Sequence, residues 1–417
     1  MKKTILFAAA FAGVLCSCSQ DDVETSGSLD SAGLEPIKIG VSSHGSVATR
    51  GTGTVGGVEG DNDWAGQSFR LYMFNKGTVV PATESDGHTA IYENYDFRAP
   101  GSGESGVATA FDQSVKYYPT SGSFDFVAYR IDDATGTPDV PTAVGSDPAN
   151  PDSIVIGVKI DGTQDIMSAV AVPSDEELAL LSSYPDRYYS SYSAHRGVNP
   201  NLLFRHLLTR LNFQIIGGNE ASCVKAGEAA GQETCVRVTK IEVLSKSAGS
   251  LTIAKAGGDR TSAGSLQFDS EVDTLVLMQR PEGASDNVDL EPMDVVMPTW
   301  NSISNSGNEV QAGDAMLVAP DRSYEVKITL RQRVQTGVDG SDRPVMEDKE
   351  LIVKDVISLS SSSSAAGFLA GNSYNVKIVV YGLEKVNVNA TLTPWTEGED
   401  IYLDPIDGAA SLAAQGE

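Results

Sequence analysis

Histidine, cysteine and tryptophan are scarce in this chain of 417 residues, which carries four, four and three of them. The histidines His44, His88, His195 and His206 are scattered, so no H-E-x-x-H helix and no facing pair of ligand spacing exists. No G-x-S-x-G elbow is present to hold a hydrolase serine. Basic charge is short as well. Lys and Arg total 30 against 56 Asp and Glu, a formal net charge of −26, and no basic cluster offsets the excess. Phosphate backbones and anionic membrane surfaces would be repelled, so nucleic acid is not expected as a partner. Beyond Leu15 no apolar run is long enough to cross a bilayer. The reading is therefore of a protein that is no enzyme and needs no cofactor or metal. Carboxylates are abundant enough that a glycosidase pair stays open as an alternative.

What the chain does have begins at its N-terminus. Lys2 and Lys3 precede the short apolar run TILFAAAFAGVL (4–15), which has the form of an export signal. Leu15 and Ser17 then stand at −3 and −1 to Cys18, which resembles a bacterial lipobox. Residues 1–17 are thus expected to be a signal peptide, Cys18 the lipidated first residue, and 18–34 a polar tether. A plain secretory cut within Ser-Cys-Ser is the alternative. The acidic SQDD after Cys18 resembles the surface-export tag of some lipoproteins, which places the protein at the outer membrane, touching lipid only through its N-terminus. Cys16 leaves with the signal, so Cys223 and Cys235 remain in an oxidising compartment. They bracket the polar segment VKAGEAAGQET, and a disulfide closing such a loop would add about 3 kcal/mol. A metal pair there would lack any nearby histidine.

The 41 glycines and many Ser/Thr/Asp-rich turns favour short strands over helices. In PIKIGVSSHGSV (36–47), Ile37, Ile39, Val41 and Val47 share one face, the pattern of a half-buried strand. FRLYMFN (69–75), FDFVAYRI (124–131), DSIVIGVKI (152–160) and QDIMSAVAV (164–172) continue the series. SDEELALLSSY (174–184) reads as a short helix with Ser174 as N-cap and Glu177 completing a capping box, stopped by Pro185. LLFRHLLTRLNFQII (202–216) fits helix or strand, with Leu211, Phe213 and Ile215 pulling towards strand; His206 within it suits a hydrogen-bonded structural role. Further strands follow, the clearest having Tyr324, Val326, Ile328 and Leu330 on one face. Stacked β-sandwiches are expected, with domains at 35–195 and 196–417, the second ending in a tail, 396–417.

Gly51, Gly53 and Gly56 spell G-x-G-x-x-G, but no helix pattern follows, and a dinucleotide turn needs a helix N-terminus for the pyrophosphate. Asp61, Asp63 and Gly66 start a calcium-loop pattern that fails at Ala65 and Tyr72. The stretch 48–66 is a flexible linker.

Five segments taken in order resemble the fimbrillin family of type V pilins and accessory adhesins: YYPTSGSFDFVAY (117–129), QDIMSA (164–169), LLFRHLLTRLNFQI (202–215), FLAGNSYNVKIVV (368–380) and VNVNATLTPWTEGED (386–400). The resemblance implies two transthyretin-like Greek-key β-sandwich domains in tandem, lipoprotein export and an arginine-specific cut after the first strand. That strand then leaves, and a donor strand from another fimbrial subunit, identical or different, fills the groove. Arg50 and Gly51 match the cut, Ile37, Ile39 and Val41 the removable strand. Ile401 and Leu403, alternating with Tyr402 and Asp404, make the tail a candidate donor. The location implied is the outer membrane surface, then the fimbrium. The competing expectation is a lipoprotein that never polymerises and binds a glycan or host surface protein.

If Cys18 carries lipid, a Cys18→Ala chain expressed in a lipoprotein-exporting host loses radiolabelled palmitate incorporation, while Cys16→Ala retains it.

Overall fold

The computed structural model describes residues 35–43, 67–100, 107–132, 134–137, 139–225, 233–257, 264–281, 290–359, 367–383 and 385–393. The segment 1–34, the linker 44–66 and the tail 394–417 lie outside these, and with them Cys18, Arg50, Gly51, Ile401 and Leu403.

The first half contributes β1 (Ile39–Ser43), β2 (Ser68–Asn75), β3 (Tyr95–Arg98), β4 (Val107–Ala110) and β5 (Phe124–Ile131). It continues with β6 (Thr142–Val144), β7 (Ser153–Lys159), β8 (Ile166–Val170), the helices α1 (Asp175–Leu180) and α2 (Ser191–Ala194), and β9 (Asn201–His206). Then come β10 (Thr209–Gly217), β11 (Val236–Lys246), β12 (Ala248–Lys255), β13 (Ser265–Phe268) and β14 (Val272–Val276). Four two-residue strands follow: β15 (Met278–Gln279), β16 (Glu291–Pro292), β17 (Trp300–Asn301) and β18 (Ser306–Gly307). The chain closes with β19 (Glu309–Val318), β20 (Ser323–Val338), β21 (Pro344–Ser358), β22 (Ser373–Gly382) and β23 (Lys385–Thr393). The all-β expectation holds. No helix among the described residues is long and apolar enough to cross a membrane.

In α1 the expected capping box forms, with Glu177 N–H donating to Ser174 Oγ at 3.2 Å and Ser174 N–H to Glu177 Oε2 at 2.7 Å. The helix stops at Leu180, short of Pro185, because Ser182 adopts a positive φ of 48° and turns the chain away.

The first architecture is a closed barrel in the order β1-β4-β3-β2-β5-β8-β9. Alternation builds its interior: Phe69, Leu71 and Met73 of β2 and Phe124, Phe126 and Ala128 of β5 point inwards with Leu202 and Phe204 of β9. Most of the intervening residues, Arg70 and Asp125 apart, are apolar too, so the second face of these strands is largely buried. Tyr72, Phe74, Val127 and Tyr129 face outwards into a separate core, shared with Ile154, Ile156 and Val158 of β7 and Leu251 and Ile253 of β12. Burial beside these rings raises the Tyr129 phenol to about 12. The remaining large unit is a sandwich of the sheets β19-β10-β22-β23 and β14-β11-β20-β21. Tyr324, Val326, Ile328 and Leu330 fill its core, as their spacing predicts.

The expected domain boundary at 195/196 does not separate two units. β9 follows it in sequence, yet pairs with β1 and β8 in the barrel, because Leu202 and Phe204 fit the barrel core. Further on, the hairpin β12–β13 leaves the sandwich and pairs with β7 in the sheet β13-β12-β7-β6. Its apolar face covers the outward face of the barrel that β2 and β5 expose.

This shared core couples the two parts of the chain. Ile253→Ala should cost about 2–5 kcal/mol in chemical denaturation. Hydrogen exchange should show β5 amides losing protection together with those of β12; unchanged β5 protection would contradict the coupling.

Candidate functional site

The segment 35–43 is joined to the rest of the barrel through a glycine-rich linker, yet it occupies an interior place in the barrel wall. β1 lies between β4, antiparallel with Ile39 opposite Ala108, and β9, parallel with Gly40 opposite Asn201. Every other ladder of the barrel is antiparallel. Ahead of β1, Ile37 N–H donates to Lys116 O and Tyr118 N–H to Glu35 O, both at 2.9 Å. On the other side Gly40 N–H donates to Pro200 O, also at 2.9 Å.

The alternation read from the sequence is realised. Ile37, Ile39 and Val41 are 8%, 1% and 1% exposed and join the barrel core, whereas Lys38 faces solvent. Within that core Phe69 stacks on Phe97 with ring centroids 5.7 Å apart and meets Phe204 edge-on at 5.3 Å. At about 1.5–3 kcal/mol for each buried aliphatic side chain, the three together hold β1 with roughly 4–9 kcal/mol. Each backbone hydrogen bond adds about 1 kcal/mol net. Val47, the fourth member of the pattern, lies outside the described residues.

The walls on either side of β1 have supports that do not involve it. On the β4 side, Tyr95 OH donates to Asp112 Oδ2 at 2.6 Å, and that hydrogen bond holds the Asp112 carboxyl down at about 2. Lys116 Nζ donates to Glu84 Oε1 at 2.6 Å, a contact that raises the lysine's pKa and fixes the stretch paired with residues 35–37. On the β9 side, His206 Nδ1 lies 2.7 Å from Asp165 Oδ2 with both side chains buried. Asp165 Oδ1 also accepts Ile166 N–H at 2.8 Å, so β9 is fastened to the start of β8. This is the hydrogen-bonded structural histidine that the sequence suggests. Both walls beside β1 are thus held by contacts that do not involve it.

Three features of the site have no clear signal in the sequence. The parallel partner β9 lies more than a hundred and fifty residues away in the chain, within a segment whose pattern fits helix or strand. The pairing of 35–37 with 116–118 involves no periodic pattern. Gly40 looks like any strand glycine, yet a Cβ there would meet Asn201 Oδ1 at 2.9 Å.

Cys223 and Cys235 are both fully buried, and the expected disulfide does not join them. Cys223 Sγ instead donates to Asn219 O at 3.3 Å, at the end of a short 3-10 turn, and its burial pushes the thiol's pKa up. Among the described residues no cluster of His, Cys, Asp or Glu suits a metal ion. Away from β1, Tyr184 and Tyr192 meet edge-on at 5.8 Å, with the Arg196 guanidinium 3.7 Å above the Tyr192 ring.

No protein-family model matches the chain, and no curated protein does. Among solved structures it is similar to a candidate cell adhesion protein from Bacteroides uniformis ATCC 8492, at 16% identity over 88% of this chain and 99% of that one, TM-score 0.39. A candidate adhesin from Bacteroides thetaiotaomicron VPI-5482 shares 7% identity over 86% of this chain and 97% of its own, TM-score 0.39. The fimbrial anchor protein Mfa2 from Porphyromonas gingivalis shares 9% over 86% and 99%, TM-score 0.31.

The burial of β1 sets its mutational profile. Ile39→Ala should lower stability by about 2–5 kcal/mol in guanidinium titrations, whereas Lys38→Ala should stay within about 0.5 kcal/mol. Equal effects at the two positions would contradict the inward alternation.

Proposed function

We propose that the protein is a structural or adhesive subunit of a cell-surface fimbria and that β1 is a removable plug. In this reading the barrel and the sandwich stand for the paired transthyretin-like Greek-key domains of fimbrillins. Lipid on Cys18 holds the exported chain at the outer membrane, and a cut between Arg50 and Gly51 separates the lipidated segment and β1 from the rest. A strand of another subunit then fills the vacated place. The protein is a scaffold and a ligand for strands, not an enzyme.

The observation that carries this reading is the position of β1: a short strand that closes the barrel wall from both sides and is tied to the next strand only through a linker with an arginine in it. The linker composition favours the cut, since glycines leave the backbone pliable for a protease. Removing β1 uncovers the N–H and C=O rows of β4 and β9 and the seats of Ile37, Ile39 and Val41. An extended segment with apolar residues two apart satisfies both needs, which is strand addition at a sheet edge. While β1 stays in place, the same edges are closed to casual pairing.

A second reading, a surface lipoprotein that binds glycan without polymerising, has the Tyr184–Tyr192 pair and its arginine as support. Aromatic faces with neighbouring polar groups suit sugar rings, and Tyr192→Ala would abolish retention on a glycan array.

The plug reading is tested by exchange. After digestion with an arginine-specific protease, a fluorescent peptide of residues 35–43 should replace the resident segment over hours at micromolar concentration. Arg50→Ala should block the replacement. A cut chain that keeps its own β1 against excess peptide, even near its melting temperature, would overturn the proposal.

A further inference from the structure

We infer that the seat of β1 rejects this chain's own C-terminal segment and takes a strand from a different subunit, one with glycine at the place opposite Asn201. The inference rests on the plug reading and specifies its partner. Gly40 and Asn201 stand across from each other in the parallel ladder. A Cβ on residue 40 would lie 2.9 Å from Asn201 Oδ1 and 3.4 Å from its Cγ. Gly40 is not in the left-handed region, so space, not backbone conformation, is what asks for glycine here. The Asn201 residue is half-exposed, but its Oδ1 is buried and accepts no hydrogen bond, so a side chain at 40 would have to displace this oxygen.

The seat therefore has a template: large apolar side chains where Ile39 and Val41 enter the core, and no side chain between them. The tail does not match it. Gly398 opposite Asn201 would send Glu397 and Glu399 into the core, and Gly416 would send Gln415 and Glu417. Its apolar pair fares no better. Setting Ile401 and Leu403 in the two apolar places, in either chain direction, brings Tyr402 against Asn201. With Leu403 in the place of Ile39, Asp404 faces Asn201 and Pro405 takes the place of Val41, where it has no N–H for the ladder. Setting Gly408 opposite Asn201 sends the Asp407 carboxyl into the apolar core. The spacing I-x-I-G-V of β1 does recur at Ile154–Val158, but there it is built into β7 between β6 and β12. This fit disfavours a homopolymer formed through the tail and favours a partner with an apolar-x-apolar-Gly-apolar segment.

The test uses the full chain cut at Arg50 and three fluorescent peptides: residues 35–43, the same with Gly40→Tyr, and residues 397–409. The first should bind, the second about tenfold more weakly or worse, and the tail peptide no better than the second. Asn201→Ala and Asn201→Ser in the protein should narrow the gap between the first two peptides. A tail peptide that binds as tightly as residues 35–43, or tail-dependent oligomers of the cut protein alone, would overturn the inference and leave the plug reading intact. Failure of the first peptide to enter the cut chain would overturn both. In the uncut chain, Gly40→Val should lower the melting temperature and Asn201→Ala should recover part of the loss; additive effects would show that the two positions are not in conflict.

Discussion

Closure of the barrel is the constraint on which the rest depends. A sheet that curls upon itself has no exposed edges only while every neighbour is present, and β1 is the strand that joins β4 to β9. Its residues are few, but they meet two obligations at once. The backbone satisfies hydrogen-bonding groups on both flanking strands, and three aliphatic side chains complete the packing around Phe69, Phe97 and Phe204. Loss of β1 would therefore create two edges and an apolar slot in one step. What holds it is backbone hydrogen bonding and apolar packing.

Elsewhere the walls of the barrel have supports of their own. Tyr95 and Asp112 secure the end of β4, Lys116 and Glu84 the stretch after it, and Asp165 and His206 the end of β9. None of these contacts passes through β1. Outside the barrel, the third sheet presses on β2 and β5 with side chains drawn from both parts of the chain. The wall opposite β1 is thus braced from behind, and the barrel cannot relax there without disturbing strands that belong to the later sequence.

Much of this was legible in residue order. The inward faces of β1, β2, β5 and β20 follow from strict alternation, and the Ser174–Glu177 box announces α1. The alternation at 124–131 marks one inward face, but not that Val127 and Tyr129 on the other face are buried as well. The domain boundary misleads because Gly197 and Pro200 look like a linker while the strand just beyond belongs to the barrel. The cysteines misled as well: their spacing and compartment suit a bridge, but no disulfide joins them and Cys223 has the carbonyl of Asn219 instead.

By itself the amino-acid order determined the strands, their buried faces and the acidic, β-rich character of the chain, because alternation and turn chemistry act between neighbours. Only the tertiary structure decided which strands meet: that β1 runs parallel to β9, that β12 crosses over to β7, and that Gly40 rests against Asn201. Those pairings join residues far apart in the chain, and they are chosen by the fit of whole surfaces, which no local pattern encodes.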